Sequence, residues 1–471
     1  MSRAHPAGPQ HAEAVPDGTP SVPADLNELH PAIWSSTTRR DGGVLNVGGM
    51  DVRQLATEHG TPAYVLDEQD FRERCRAHRR AFAGFDVFYA GKAFLCTEVI
   101  RWLAEEACSL DVCTLGELVT AQRAGFPAER MALHGNNKSL TELAAAVDAG
   151  VGRIVVDSFV EIERLAKLAA DRGVRPQVLL RVKVGVEAHT HEFIATAHED
   201  QKFGFSIATG AAVEAVRRVL ASASLEFAGL HSHIGSQIYD TTGFEVAAQR
   251  LVRLAADVRE QYDIEVRELV AGGGLGIAYV PGDDPPALDE FASLLRRVME
   301  EQCATSGLPV PRLAVEPGRA IVGPSTCTLY EVGTVKPVRL ASGEVRTYVS
   351  VDGGMSDNVR TALYDAVYSC ALANRASDAP AALARVVGKH CESGDIVVRD
   401  AYLPADVAPG DLLAVPGTGA YCRVLASNYN QVPRPPVVAV RDGAARILVR
   451  RETIDDLLRL DAQAGGEEAS T

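Results

Sequence analysis

Lys92, which ends a Tyr89-Ala-Gly-Lys92 run, and Glu316, which opens Glu316-Pro-Gly-Arg319, are the two positions around which the chemistry of this 471-residue chain is organised. A lysine amine can form a Schiff base with an aldehyde, and a carboxylate can hold a protonated pyridine nitrogen. The pair points to pyridoxal phosphate (PLP) chemistry. A phosphate needs backbone N–H donors that approach closely, which glycine allows. Gly273, Gly274 and Ser236 suit that role, in the runs Gly272-Gly-Gly-Leu-Gly276 and His231-Ser-His-Ile-Gly-Ser236. Two further polar runs are Asp111-Val-Cys-Thr114 and His134-Gly-Asn-Asn-Lys138. Each motif alone has a plain alternative, such as a solvated lysine, a tight turn or a core histidine. Their joint occurrence is hard to explain as packing.

The elements that must position these groups are strands. Short apolar cores at 87–89, 110–112, 131–133, 153–156, 178–182, 227–230, 268–270 and 312–315 alternate with amphipathic patterns of three- and four-residue spacing. Eight such units over about 250 residues match a (β/α)8 TIM barrel, expected at 67–316. A doubly wound sheet fits less well, because no G-x-G-x-x-G follows the first strand. In a TIM barrel, chemistry belongs at the C-terminal ends of the strands, where the polar runs fall. Beyond the barrel, β-type runs with Gly and Pro turns predict a β-rich domain over 317–460, to which 33–66 is assigned. It includes an Asp442-Gly443 hairpin. Residues 1–32 and 461–471 read as disordered tails.

Composition narrows the class. Net charge −15 argues against nucleic acid or an anionic membrane as partner. Nine cysteines without a C-x-x-C pair indicate neither a disulfide framework nor a zinc site, and no metal is expected. With 46% hydrophobic residues and no long apolar run, the reading is a soluble cytoplasmic enzyme.

The runs F-Y-A-G-K-A-F, H-S-H-I-G-S-Q, G-G-G-L-G, E-P-G-R, C-E-S-G-D and G-A-Y occur in the order found in diaminopimelate decarboxylases, which the chain resembles from about Ile33 to Leu460. That fold is shared with ornithine and arginine decarboxylases and, more distantly, alanine racemase. The resemblance implies that Lys92 carries PLP, whose ring rests against His233 with His231 behind it. It further implies that Glu316 holds the ring nitrogen, that Gly273, Gly274, Ser236 and Tyr421 hold the phosphate, and that Asp111, Gly318 and Arg319 line the cofactor. Glu117 either supports the Lys92 side or is simply a helix N-terminal acid. Cys391 would protonate Cα from the partner subunit of a homodimer, unless it is a buried filler. Arg319 and Arg360, with Tyr364 and Tyr421, would bind the distal carboxylate of meso-diaminopimelate, and Glu392 its ammonium. The alternative for Arg360 is a surface ion pair. Departures from the family pattern are Cys422-Arg-Val-Leu-Ala426 and Leu115. Two rival functions are a decarboxylase of another basic or carrier-bound amino acid, and an inactive regulatory relative. Retention of Lys92 and Cys391 disfavours the latter.

Overall fold

The computed structural model describes residues 21–186, 201–341 and 343–462. The tails expected at 1–32 and 461–471 therefore lie largely outside the described residues. Within 21–32, Asn27 exchanges two hydrogen bonds with Ser377, each 3.0 Å long. The chain forms two compact units. One comprises Arg72–Ile277 with Asp284–Ile321, and the other the segments up to Phe71, Ala278–Asp283 and from Val322 onward.

The first unit is a closed parallel barrel. Its strands are β1 (Phe85–Ala90), β2 (Ser109–Val112), β3 (Met131–Leu133), β4 (Arg153–Val156), β5 (Gln177–Lys183), β6 (Glu226–His231), β7 (Glu268–Val270) and β8 (Arg312–Val315). Each pairs with the next, and β8 returns to β1 through Leu313 opposite Phe85. Helices cover the outside, so the strands are largely apolar on both faces, as in the Arg-Ile-Val-Val run of β4. Ser139 and Ser158 cap the helices that follow β3 and β4, Ser139 in a reciprocal box with Glu142.

Inward-facing side chains stack in layers. Phe88, Ala132, Val155, Leu179, Ala228, Val270 and Ala314 form the apolar middle. At the N-terminal end Arg153 bonds both oxygens of Glu268 at 2.8 Å. The C-terminal rim is polar and holds the chemistry.

The second unit is built on a sheet ordered Ile396–Pro404, Ala381–Val387, Val345–Val351, Thr326–Arg339, Ala63–Asp67, Val437–Arg441 and Ala444–Val449. Thr326–Arg339 also pairs with Leu412–Pro416. The expected hairpin is present: Asp442 (φ 52°) and Gly443 (φ 76°) link Arg441 to Ala444 with both residues left-handed, as a type I′ turn requires. The fold is thus a (β/α)8 barrel with a β-rich second unit. Among the described residues, no helix is long and apolar enough to cross a membrane.

Candidate active site

Lys92 sits in a single 3-10 turn, Gly91–Ala93, directly after β1. Its flanking residues are buried while its own side chain is exposed, so a carbonyl can reach the amine. The turn is tight. A Cβ on Gly91 would lie 2.6 Å from the Asp111 carbonyl oxygen, and one on Gly318 would lie 3.0 Å from the Ala90 Cβ.

At the centre of the rim is a buried cluster from four strand ends. His231 Nε2 lies 2.9 Å from Glu316 Oε2, and His134 Nε2 lies 3.2 Å from Glu316 Oε1 and 3.5 Å from Asp111 Oδ1. Burial alone would raise the Glu316 carboxylate, but His231 and His134 hold it well below the usual carboxylate range. Burial first, and the Glu316 charge second, push Asp111 up to about 7. Burial would lower His134, yet Glu316 and Asp111 overcome it and bring it to about 9. Burial takes His231 down to about 4 against the pull of Glu316. His231 is therefore neutral and donates Nε2–H to an ionised carboxylate, leaving its buried Nδ1 without a hydrogen-bond partner among the described residues.

Beside this cluster the glycine run after β7 comes close to other backbone. A Cβ on Gly273 would stand 2.0 Å from the Glu316 carbonyl oxygen, and one on Gly274 (φ 123°) 2.3 Å from that of Gly235. The Gly273 N–H donates to His233 Nδ1 at 3.3 Å. Removal from water, and then the charges of Lys92 and Arg181, keep His233 neutral and well below its ordinary value. Buried Arg319 donates to Ser236 Oγ from Nε at 3.2 Å and from Nη2 at 2.8 Å. Glu117 accepts from the Cys113 N–H at 2.6 Å, one turn into its own helix. That is the bond of a helix N-terminal acid, although the Lys92 charge also acts on it.

A model for the pyridoxal-dependent decarboxylase, pyridoxal binding domain, matches residues 68–323. Diaminopimelate decarboxylase of Mycobacterium tuberculosis is 58% identical over 445 residues, covering 93% of this chain and 100% of that protein. The chain belongs to the diaminopimelate decarboxylase family. The Mycobacterium leprae protein of the same name is 56% identical, over 98% of this chain and 99% of its own. Among solved structures, the M. jannaschii diaminopimelate decarboxylase in complex with L-lysine superposes with a TM-score of 0.85 at 29% identity. That match covers 91% of this chain and 98% of that one.

PLP is the cofactor of this family, and the rim fits it. Glu316 is an ionised, buried carboxylate suited to a pyridinium nitrogen, His233 a neutral ring that a heterocycle can face, and the Gly272–Gly274 run a backbone with no room for side chains.

The remaining expected residues lie in the second unit. Arg360 opens a short helix, Arg360–Tyr364, and is buried, so it is no surface ion pair. Its Nη1 donates to Tyr279 Oη at 3.0 Å and also to Tyr368 Oη. Its guanidinium carbon stands 5.2 Å and 5.6 Å from the two ring centres. Among the described residues no carboxylate pairs with it, and its buried Nε has no hydrogen-bond partner. Sequence reasoning named Tyr364, which is half-buried, and missed Tyr279 and Tyr368. Cys422, one of the family departures, packs its sulfur 3.5 Å from Tyr368 Oη. Tyr421 is half-buried with a left-handed φ of 65°.

Cys391, Glu392 and Ser393 are exposed together at a loop tip, which contradicts the buried-filler reading of Cys391. Buried Asp395 pins the loop from behind. It accepts from the His390 N–H and Nδ1, each at 2.8 Å, and from the Met355 N–H at 2.6 Å. His390 stacks on Tyr429 at 5.5 Å.

Proposed function

We propose that this protein decarboxylates meso-diaminopimelate to L-lysine and carbon dioxide. The observation that carries the substrate assignment is Arg360, a buried guanidinium braced by two tyrosines with no carboxylate partner among the described residues. A buried cation left in that state is suited to an incoming carboxylate. Ornithine and lysine have none at the distal end, so a decarboxylase of either would leave the arginine without a purpose. Arg319 and Arg360, with Tyr364 and Tyr421, bind the distal carboxylate in this reading, and Glu392 the distal ammonium.

Lys92 Nζ is the amine that tethers the cofactor. Gly273, Gly274, Ser236 and Tyr421 hold its phosphate, and Asp111, Gly318 and Arg319 line the remainder. When bound, PLP supplies an electron sink for the pair released as the Cα–carboxylate bond breaks. Glu316 keeps a proton on the ring nitrogen, and His233 supports the ring face. Cys391 then delivers a proton to Cα. The exposure of Cys391 and Glu392 on one pinned tip supports their serving a neighbouring subunit, hence a homodimer with shared sites. The nine cysteines, none of them placed for a disulfide, support a cytoplasmic setting.

Addition of PLP to purified protein is expected to produce visible absorption and diaminopimelate-dependent carbon dioxide release, both lost in Lys92→Ala. A Lys92→Ala variant that turned over at the wild-type rate would overturn the assignment.

A further inference from the structure

The run His134-Gly-Asn-Asn-Lys138 lies beside the proposed cofactor groups and contributes none of them. We propose that His134 is a positioning residue for Glu316, seated between the Glu316 and Asp111 carboxylates so as to aim Glu316 at the ring nitrogen of the cofactor. This rests on the reading of Glu316 as the group that holds that nitrogen.

Three features place His134 there. Its Nε2 lies 3.2 Å from Glu316 Oε1 and 3.5 Å from Asp111 Oδ1. The other Glu316 oxygen is taken by His231, whose ring meets that of His134 edge-on at 4.9 Å. His231 bonds one oxygen and the His134 charge faces the other, so the carboxylate is held from two sides. Finally, the turn carrying His134 is locked. The His134 N–H bonds the Val112 carbonyl at 2.8 Å. Lys138 reaches back under the turn to the Gly135 carbonyl at 2.5 Å, the Val155 carbonyl at 2.8 Å and Glu161 at 2.7 Å, wholly buried.

The electrostatics give the reason for a histidine. Two buried carboxylates close together cannot both stay ionised without a cation, and a proton settles on one of them. The charges of His134, His231 and Lys92 act on this pair, and buried Arg181 acts on Glu316 as well. With His231 neutral, His134 is the cation that touches both acids. Without it, a proton shared with Asp111 would reach Glu316 and remove the charge that holds the ring nitrogen protonated.

The test is a double-mutant cycle on full-length protein, with His134→Ala, His134→Gln, Asp111→Asn and the combination His134→Ala/Asp111→Asn. PLP affinity and the pH dependence of the visible absorption are read alongside kcat and KM. Loss of His134 is expected to weaken PLP binding, shift the pH profile and lower kcat by about 10- to 100-fold, with little change in KM. His134→Gln keeps the volume and an N–H donor and stays folded, but lacks the charge, so it shows the same profile shift. Removing the second acid relieves the need for a cation, so the double variant should lose much less than the product of the single losses. Unchanged PLP affinity and profile in both His134 variants, or strictly multiplicative losses, would overturn the proposal. Because binding and absorption need no turnover, they decide it even if diaminopimelate proves not to be the substrate.

Discussion

The Cys391 backbone N–H donates to Asn430 Oδ1 at 3.1 Å, tying the tip that presents the thiol to a residue in left-handed backbone (φ 51°). Asparagine tolerates that conformation, and most other residues are strained by roughly 1–2 kcal/mol. Asn430→Gly keeps the backbone and loses the bond, whereas Asn430→Ala loses both. Both variants should alter the rate at which iodoacetamide labels Cys391 and lower kcat by about tenfold, with Ala also less stable. Wild-type labelling and turnover in Asn430→Gly would show that the bond does not position the thiol.

Gly273 tests the phosphate cradle. An alanine Cβ there meets the Glu316 carbonyl oxygen at 2.0 Å, which only backbone movement relieves. Gly273→Ala should weaken PLP binding at least tenfold in an absorbance titration, displacing both the N–H donors and Glu316. Wild-type affinity would remove this loop from the cofactor site.

Lys138 and Glu161 are 1% and 5% exposed and 2.7 Å apart. Lys138→Ala leaves Glu161 buried without its cation and should cost about 3–5 kcal/mol in urea unfolding. Lys138→Ala/Glu161→Leu should recover part of that loss.

These contrasts show what could be read from residue order alone. Lys92, His233 and Glu316 are legible because each follows an apolar strand core in a repeating pattern, and Asp111 because it is an acid within such a core, which places them on one rim. His134 was seen only as part of a turn motif, since its meaning depends on Glu316, far away in the chain. Tyr279 and Tyr368 are isolated aromatics in loops, and nothing local marks them as braces for Arg360. The strand Ala381–Val387 is not legible in the sequence, because Ala-Ala-Leu-Ala-Arg favours a helix. Pairing with Val345–Val351 on one side and Ile396–Pro404 on the other overrides that preference. Ala63–Asp67, buried throughout, falls almost wholly within the 33–66 segment assigned to the β-rich domain and pairs there with Thr326–Arg339 and Val437–Arg441.

The buried cluster predicts how stability depends on pH. His134 is raised to about 9 in the folded protein from an unfolded value near 6.5. Its contribution is therefore complete below about 6.5 and lost as pH rises through about 9. The window of Asp111 ends near 7, and His231, at about 4 when folded, is neutral in both states above 6.5. Between pH 7 and 10 the Tm of PLP-free protein should fall, and His134→Gln should flatten that fall. Identical slopes in the two proteins would mean that His134 carries no charge.

The most direct measurement is carbon dioxide release with PLP, offering meso-diaminopimelate beside ornithine, arginine and lysine. Diaminopimelate should turn over with L-lysine formed in equal amount, and the three amino acids lacking a distal carboxylate should be slower by about 10⁴-fold in kcat/KM. Comparable turnover of ornithine or lysine would contradict the account, leaving the barrel, Lys92 and Glu316 in place but overturning the roles given to Arg319, Arg360 and Glu392.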